Sequence, residues 1–194
     1  SDDRGHVAVY LGTADGVSYT PVFTATGGVG SHFGRVVGSA GDVNDDGYDD
    51  VVIGAPGEDR VYVYHGAAGG LNHDADWRVT AEADDMNRGY VSLAGDVDGD
   101  RYGDLLIGVE GDGASEAGRV DVYYGSVEGL SDIPVTIDGE SPGDRFGCAV
   151  STLGDLNGDH YDDVIIGAEG YNEDAGKVYV YLGGPEGLDE TTLW

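Results

Sequence analysis

Apolar positions along the chain fall into two recurring patterns. The first alternates with polar or aromatic positions: Gly5-His-Val-Ala-Val-Tyr-Leu-Gly12, Asp59-Arg-Val-Tyr-Val-Tyr-His-Gly66, Gly118-Arg-Val-Asp-Val-Tyr-Tyr-Gly125 and Gly176-Lys-Val-Tyr-Val-Tyr-Leu-Gly183. β-Branched and aromatic residues at period two read as strands with two distinct faces. The second pattern is a short unbroken apolar run after an acidic stretch: Val51-Val52-Ile53, Leu105-Leu106-Ile107 and Val164-Ile165-Ile166. Such runs suit strands buried on both faces. Helices are disfavoured, because glycine fills 36 of 194 positions and each interior glycine costs a helix about 1 kcal/mol. The first full repeat is therefore predicted as strand A over 33–40, B over 50–55, C over 60–65 and D over 77–81.

The patterns recur at fixed offsets. The first valines of the alternating pattern, Val7, Val61, Val120 and Val178, are 54, 59 and 58 residues apart. Nine residues after each comes Gly16, Gly70, Gly129 or Gly187, followed by Val17, Leu71, Leu130 or Leu188. The acidic pattern begins at Gly41, Gly95 and Gly154. Short antiparallel strands in groups of four, repeating at this period, predict the blades of an all-β propeller. The divisions are 1–28 (C and D strands of an incomplete blade), 29–84, 85–141 and 142–194. The last strand D is expected to be cut short: Trp194 lies six residues after Leu188, as Trp77 follows Leu71 and Phe23 follows Val17. About three and a half blades result. Since an open array leaves edges and faces bare, completion is expected from the rest of a longer chain or from other copies in a homo-oligomer.

Phe33-Gly34 and Phe146-Gly147, together with Gly54-Ala55-Pro56, carry a family likeness. The chain resembles the FG-GAP repeats of the integrin α-subunit β-propeller and of many secreted prokaryotic proteins, over nearly its whole length. The second repeat departs from the pattern with Arg88-Gly89 and Gly108-Val109-Glu110, the third with Gly167-Ala168-Glu169. The resemblance implies an extracellular or cell-surface setting, a noncatalytic role in adhesion, and Ca²⁺ held by the A–B loops on one face of the propeller.

The acidic loops support the same metal on chemical grounds. Counted from the first Asp, positions 1, 3, 5 and 9 are Asp42, Asn44, Asp46 and Asp50; then Asp96, Asp98, Asp100 and Asp104; then Asp155, Asn157, Asp159 and Asp163. Position 7, expected to offer its backbone carbonyl, is Tyr48, Tyr102 or Tyr161. Hard oxygen donors at alternate positions of one tight loop suit Ca²⁺, which takes six to eight oxygens. An EF-hand is the competing motif, but it needs a bidentate Glu at position 12 and flanking helices. Position 12 here is Ile53, Ile107 or Ile166, already inside a predicted strand. Solvated Asp/Asn/Gly turns are the plain alternative, and threefold repetition of one donor spacing argues against it. About three Ca²⁺ per chain are expected. The first loop has Gly47 at the sharp position 6, where the others have Arg101 and His160.

Charge and composition narrow the functional classes. The formal net charge is −29, which makes nucleic acid and anionic lipid poor partners, and three Ca²⁺ would offset only a small part of it. A solvated acidic surface that keeps the protein soluble, or adaptation to high salt, accounts for the rest. No apolar run reaches the roughly 18 residues that span a bilayer, so membrane insertion is not expected. Cys148 is the single cysteine and is expected as a buried apolar thiol. Tyr10, Tyr64, Tyr124 and Tyr181, in the C-strand pattern, are expected to pack between blades. Nothing forms a catalytic constellation. The chain thus reads as a noncatalytic Ca²⁺-stabilised module for adhesion or for binding a protein or glycan. The alternatives are an accessory domain of an extracellular hydrolase and a structural subunit of a surface assembly.

Overall fold

The computed structural model describes residues 2–80, 90–111 and 116–189. Ala81, the 84/85 repeat boundary, Arg88-Gly89 and Trp194 lie outside these residues. The described chain is all-β, with helical segments of a single turn.

Strands β1 (His6–Val9) and β4 (Phe23–Thr26) pair antiparallel as a half-blade, with Val9 opposite Phe23. Between them β2 (Gly12–Thr13) and β3 (Gly16–Val17) form a two-residue ladder. The first full blade comprises β5 (Val36–Gly41), β6 (Asp50–Ala55), β7 (Arg60–Tyr64) and β10 (Trp77–Thr80), in that spatial order. A second short ladder, β8 (Gly66–Ala67) with β9 (Gly70–Leu71), links β7 to β10. The second blade is β11 (Tyr90–Gly95), β12 (Asp104–Val109), β13 (Arg119–Tyr123) and β14 (Val135–Asp138). The third comprises β15 (Phe146–Gly154), β16 (Asp163–Ala168) and β17 (Lys177–Tyr181). Strand B of the first blade has its predicted bounds. Strand A starts three residues late, because His32 and Gly34 take left-handed φ of 51° and 81° and turn the chain at Phe33.

The second apolar run is buried on both faces, as its pattern requires, while Val51 in the first and Ile165 in the third are half-buried. Val52, Ile53, Leu105, Leu106, Ile107, Val164 and Ile166 are at most 2% exposed, each contributing about 1.5–3 kcal/mol by leaving water. Inner strands β5, β11 and β15 pack side by side. The Phe of each Phe-Gly pair sets its turn in two ways. Its ring meets a C-strand tyrosine edge-on, Phe33 on Tyr62 at 5.6 Å and Phe146 on Tyr179 at 5.1 Å. Its N–H donates to the preceding blade, Phe33 to the Arg4 carbonyl and Phe146 to that of Ala117.

Aromatic seams join successive blades. Phe23 on β4 meets Tyr64 on β7 at 5.0 Å, and Trp77 on β10 meets Tyr123 on β13 at 4.9 Å, both edge-to-face. The expected packing between blades is present at Tyr64, whereas the ring contacts of Tyr181 are to Phe146 and Tyr179 of its own blade. The second blade's equivalent of Tyr64 is Tyr123, not Tyr124. Tyr124 instead reaches the third blade's C–D turn, where Leu188 N–H donates to its hydroxyl at 3.4 Å. Tyr10 remains 47% exposed.

Candidate metal centres

Each A–B loop coils around its own first carboxylate. Asp42 accepts from the N–H groups of Asp46 and Gly47 at 2.9 and 2.7 Å. Asp96 accepts from Gly99 and Arg101 at 2.7 and 2.9 Å, and Asp155 from Gly158, Asp159 and His160 at 2.6, 3.0 and 3.0 Å. Position 3 then accepts from the N–H of position 5: Asn44 from Asp46, Asp98 from Asp100, Asn157 from Asp159. Position 5 accepts from that of position 7: Asp46 from Tyr48, Asp100 from Tyr102, Asp159 from Tyr161. This chain of turns folds each loop back on itself; among the described residues the structure gathers carboxylates at positions 1, 3 and 9 of the second loop, Asp100 at position 5 lying outside that cluster.

Two residues per loop need a left-handed backbone. In the first loop these are Asp45 (φ 53°) and Gly47 (88°); in the second, Gly99 (78°) and Arg101 (80°); in the third, Gly158 (81°) and His160 (79°). Each loop supplies one glycine and one strained residue, in exchanged order. Arg101 turns away from its own loop, its guanidinium 3.8 Å from Asp45 Oδ2 of the first. His160 Nδ1 stays 3.9 Å from Asp155 Oδ2.

Position 9 is the buried floor of each loop. Asp50, Asp104 and Asp163 are at most 1% exposed. One oxygen of each accepts the N–H of position 2: Val43 at 3.0 Å, Val97 at 2.8 Å, Leu156 at 2.7 Å. The other accepts the glycine N–H that ends strand C: Gly66 at 2.7 Å, Gly125 at 2.9 Å, Gly183 at 3.0 Å. Sequence reasoning assigned position 9 a ligand role and missed this clamp, which ties the A–B loop to the C-strand exit. The clamp explains the recurring glycine. A Cβ on Gly66 would stand 2.6 Å from the Asp49 carbonyl oxygen, and one on Gly125 2.7 Å from Tyr102 Cβ.

The three loops also bond to one another. The position-1 carbonyl of one blade accepts the position-8 N–H of the next: Asp42 from Gly103 at 2.8 Å, Asp96 from Asp162 at 2.9 Å. The position-2 carbonyl accepts from the residue after the C-strand glycine: Val43 from Ser126 at 3.3 Å, Val97 from Gly184 at 2.9 Å.

In the second loop Asp96, Asp98 and Asp104 bring one carboxylate oxygen each to within 4.8 Å of one another. Oxygens sharing one Ca²⁺ at 2.3–2.6 Å are separated by at most about 5 Å, so this donor set fits a single ion. Electrostatics show the crowding. Burial, with Asp98 and Asp100 nearby, pushes the Asp104 carboxyl up to about 8. Burial and the Asp100 charge also raise Asp98, and burial raises Asp50. At Asp155 desolvation, the largest single effect, raises the pKa but is outweighed by the N–H groups of His160, Gly158 and Asp159 together, and the pKa falls. A divalent cation would relieve the repulsion in the second loop.

His65 was not singled out from sequence as a neighbour of the first loop. Its Nδ1 lies 3.3 Å from Asn44 Nδ2 and 3.8 Å from Asp76 Oδ1. Cys148 is half-buried on β15 rather than fully buried, and burial pushes its thiol up, away from a nucleophilic thiolate.

The FG-GAP repeat family matches residues 33–70 and 146–181, the segments that hold the first and third of these loops. This chain carries FG-GAP repeats. The FG-GAP chain is similar to human integrin alpha-6, 35% identical over 150 residues covering 73% of the chain. It is 32% identical to Xenopus laevis integrin alpha-5 over 82% of its length, and to Gallus gallus integrin alpha-V over 78%. It spans 13, 16 and 15% of the length of those three relatives. No helix among its described residues is long and apolar enough to cross a membrane.

Proposed function

We propose that the chain is a noncatalytic, extracellular, calcium-stabilised propeller module that serves adhesion by binding a protein or glycan. The observation carrying this reading is one donor arrangement built three times, with the second loop's carboxylates gathered within 4.8 Å. Ca²⁺ is held by the side chains of positions 1, 3, 5 and 9 and the carbonyl of Tyr48, Tyr102 or Tyr161. When bound, it supplies positive charge to a crowded acidic loop. The chain's own residues do the rest. Position 9 locks the loop to strand C, and the position-1 and position-2 carbonyls lock it to the next blade. The similarity to integrin alpha subunits supports an adhesive role at a cell surface.

A structural ion predicts that chelation lowers the melting temperature and that Ca²⁺ restores it, since a ligand binding only the folded state stabilises it. Mg²⁺ should restore it poorly, because it is smaller and demands near-ideal octahedral geometry. Metal-dependent turnover of an ester, phosphodiester or glycoside, lost in a folded Asp46→Asn variant, would refute the noncatalytic assignment.

A further inference from the structure

His65 occupies a place where an imidazole is unfavourable. It follows β7 and precedes the clamped Gly66. Its side chain is 14% exposed, and its Nε2 is buried with no hydrogen-bond partner. That nitrogen faces the C–D turn of the second blade, where a Cβ on Gly129 would stand 3.7 Å away. An orphaned buried ring nitrogen weakens the fold. The other two blades avoid this at the same position. Tyr124 has a hydroxyl that accepts from Leu188 N–H at 3.4 Å, and Leu182 has no polar side-chain atom. What the histidine contributes therefore lies at its other nitrogen, Nδ1.

Nδ1 faces the position-3 donor of the first loop. Asn44 Oδ1 accepts the Asp46 N–H at 3.2 Å, which fixes the orientation of the amide. Asn44 Nδ2 then donates to Asp46 Oδ2 at 3.2 Å and to His65 Nδ1 at 3.3 Å. An amide nitrogen is a donor only, so Nδ1 is the acceptor and the proton of the neutral ring sits on Nε2. Asp76 Oδ1, 3.8 Å from Nδ1, is beyond hydrogen-bond range. The third loop has the same amide without the ring. Asn157 Oδ1 accepts from Asp159 N–H at 3.0 Å, and among the described residues its Nδ2 donates to Asp159 Oδ2 alone, at 2.9 Å. The second loop has Asp98 here and no amide to orient. Asp46 and Asp159 are position-5 donors, so an ion competes with the amide for their carboxylates. In that competition Asn44 keeps an acceptor, and Asn157 does not.

We propose that His65 is a positioning residue for the first metal loop: by accepting from Asn44 Nδ2 it keeps Asn44 Oδ1 as the atom offered to the ion, and so raises the Ca²⁺ affinity of that loop. The inference rests on the calcium reading of the loops. A side-chain amide can present either its oxygen or its NH₂, and a cation binds the oxygen alone; an acceptor behind the NH₂ decides which is presented. His65 thereby weakens the metal-free fold through its orphaned Nε2 and returns the loss as affinity. Partners that orient a metal ligand change affinity by about 10–100-fold, and a single neutral hydrogen bond places His65 at the low end, about tenfold.

The test titrates the chelated chain with Ca²⁺ and follows each loop by the NMR signal of its own position-6 amide, Gly47, Arg101 or His160. His65→Leu should raise the dissociation constant of the first loop about tenfold and leave the second and third loops unchanged. His65→Asn, whose Oδ1 replaces Nδ1 as acceptor, should restore most of the affinity. In chelator, His65→Leu should melt no lower than the parent, because it removes the orphaned nitrogen. Unchanged first-loop affinity in His65→Leu, or no recovery in His65→Asn, would overturn the proposal. So would an affinity loss spread over all three loops together with a lower melting temperature in chelator, the mark of a purely structural ring. These outcomes overturn the role of His65 alone, whereas a parent chain that takes up no Ca²⁺ at any loop would overturn the calcium reading and this inference with it.

Discussion

Replacing Asp104 by alanine separates the clamp from the metal. Asp104 is fully buried and accepts N–H groups from Val97 at 2.8 Å and Gly125 at 2.9 Å. Asp104→Ala orphans both donors inside the protein, at about 1–3 kcal/mol each. The substitution also removes a carboxyl whose burial is itself unfavourable, since its pKa is pushed up to about 8. The net loss should be about 2–4 kcal/mol, a large share of a domain's usual 5–15 kcal/mol. Asp104→Asn keeps one acceptor oxygen and should lose about half as much. Urea unfolding in chelator at about pH 6, below the folded pKa of Asp104, reads the clamp without the ion and without the cost of a buried charge. A shift in midpoint at constant slope gives the loss, and the Val97 and Gly125 amides should exchange faster. A loss below about 0.5 kcal/mol for Asp104→Ala in chelator would mean that the two bonds do not hold the loop to strand C, and the clamp would be wrong.

Gly125→Ala should cost about 3 kcal/mol by thermal or urea unfolding, because its Cβ meets the Gly103 carbonyl and Tyr102 Cβ in a packed seam; a loss under about 1 kcal/mol would refute the close approach. Asp104 also sets a pH dependence. Its folded pKa, about 8, lies above the ordinary 3.8, so the metal-free folded state holds a proton that the unfolded chain releases. Stability from this group is present below about pH 4 and is lost as pH rises towards about 8. Ca²⁺ uptake by the second loop must expel that proton, so calorimetry in buffers of different ionisation enthalpy should show proton release at about pH 6, and none should appear in Asp104→Asn.

Most of the fold was legible because it repeats. Period-two alternation marked β7, β13 and β17, and the unbroken Val-Val-Ile, Leu-Leu-Ile and Val-Ile-Ile runs marked the B strands, of which β12 is buried throughout. The start of strand A was less legible, since β-propensity does not report the left-handed turn at His32 and Gly34. The hydrogen-bonded turns linking positions 3, 5 and 7 were readable from spacing, because Asp and Asn at alternate positions of a tight loop accept from the backbone two residues on. The second role of position 9 was not, because Gly66, Gly125 and Gly183 lie 16–21 residues away in sequence. The same distance hid His65 beside Asn44, 21 residues on. Tyr123 rather than Tyr124 was readable from the offset, since Tyr10, Tyr64 and Tyr181 each lie three residues after Val7, Val61 and Val178, and the contact with Trp77 agrees.

Native mass spectrometry of the chain before and after chelation tests the calcium assignment most directly. The account predicts three Ca²⁺ per chain, all removed by chelator, with two remaining bound in Asp46→Ala. One mass before and after chelation, or three ions retained in Asp46→Ala, would contradict the assignment of one ion to each A–B loop.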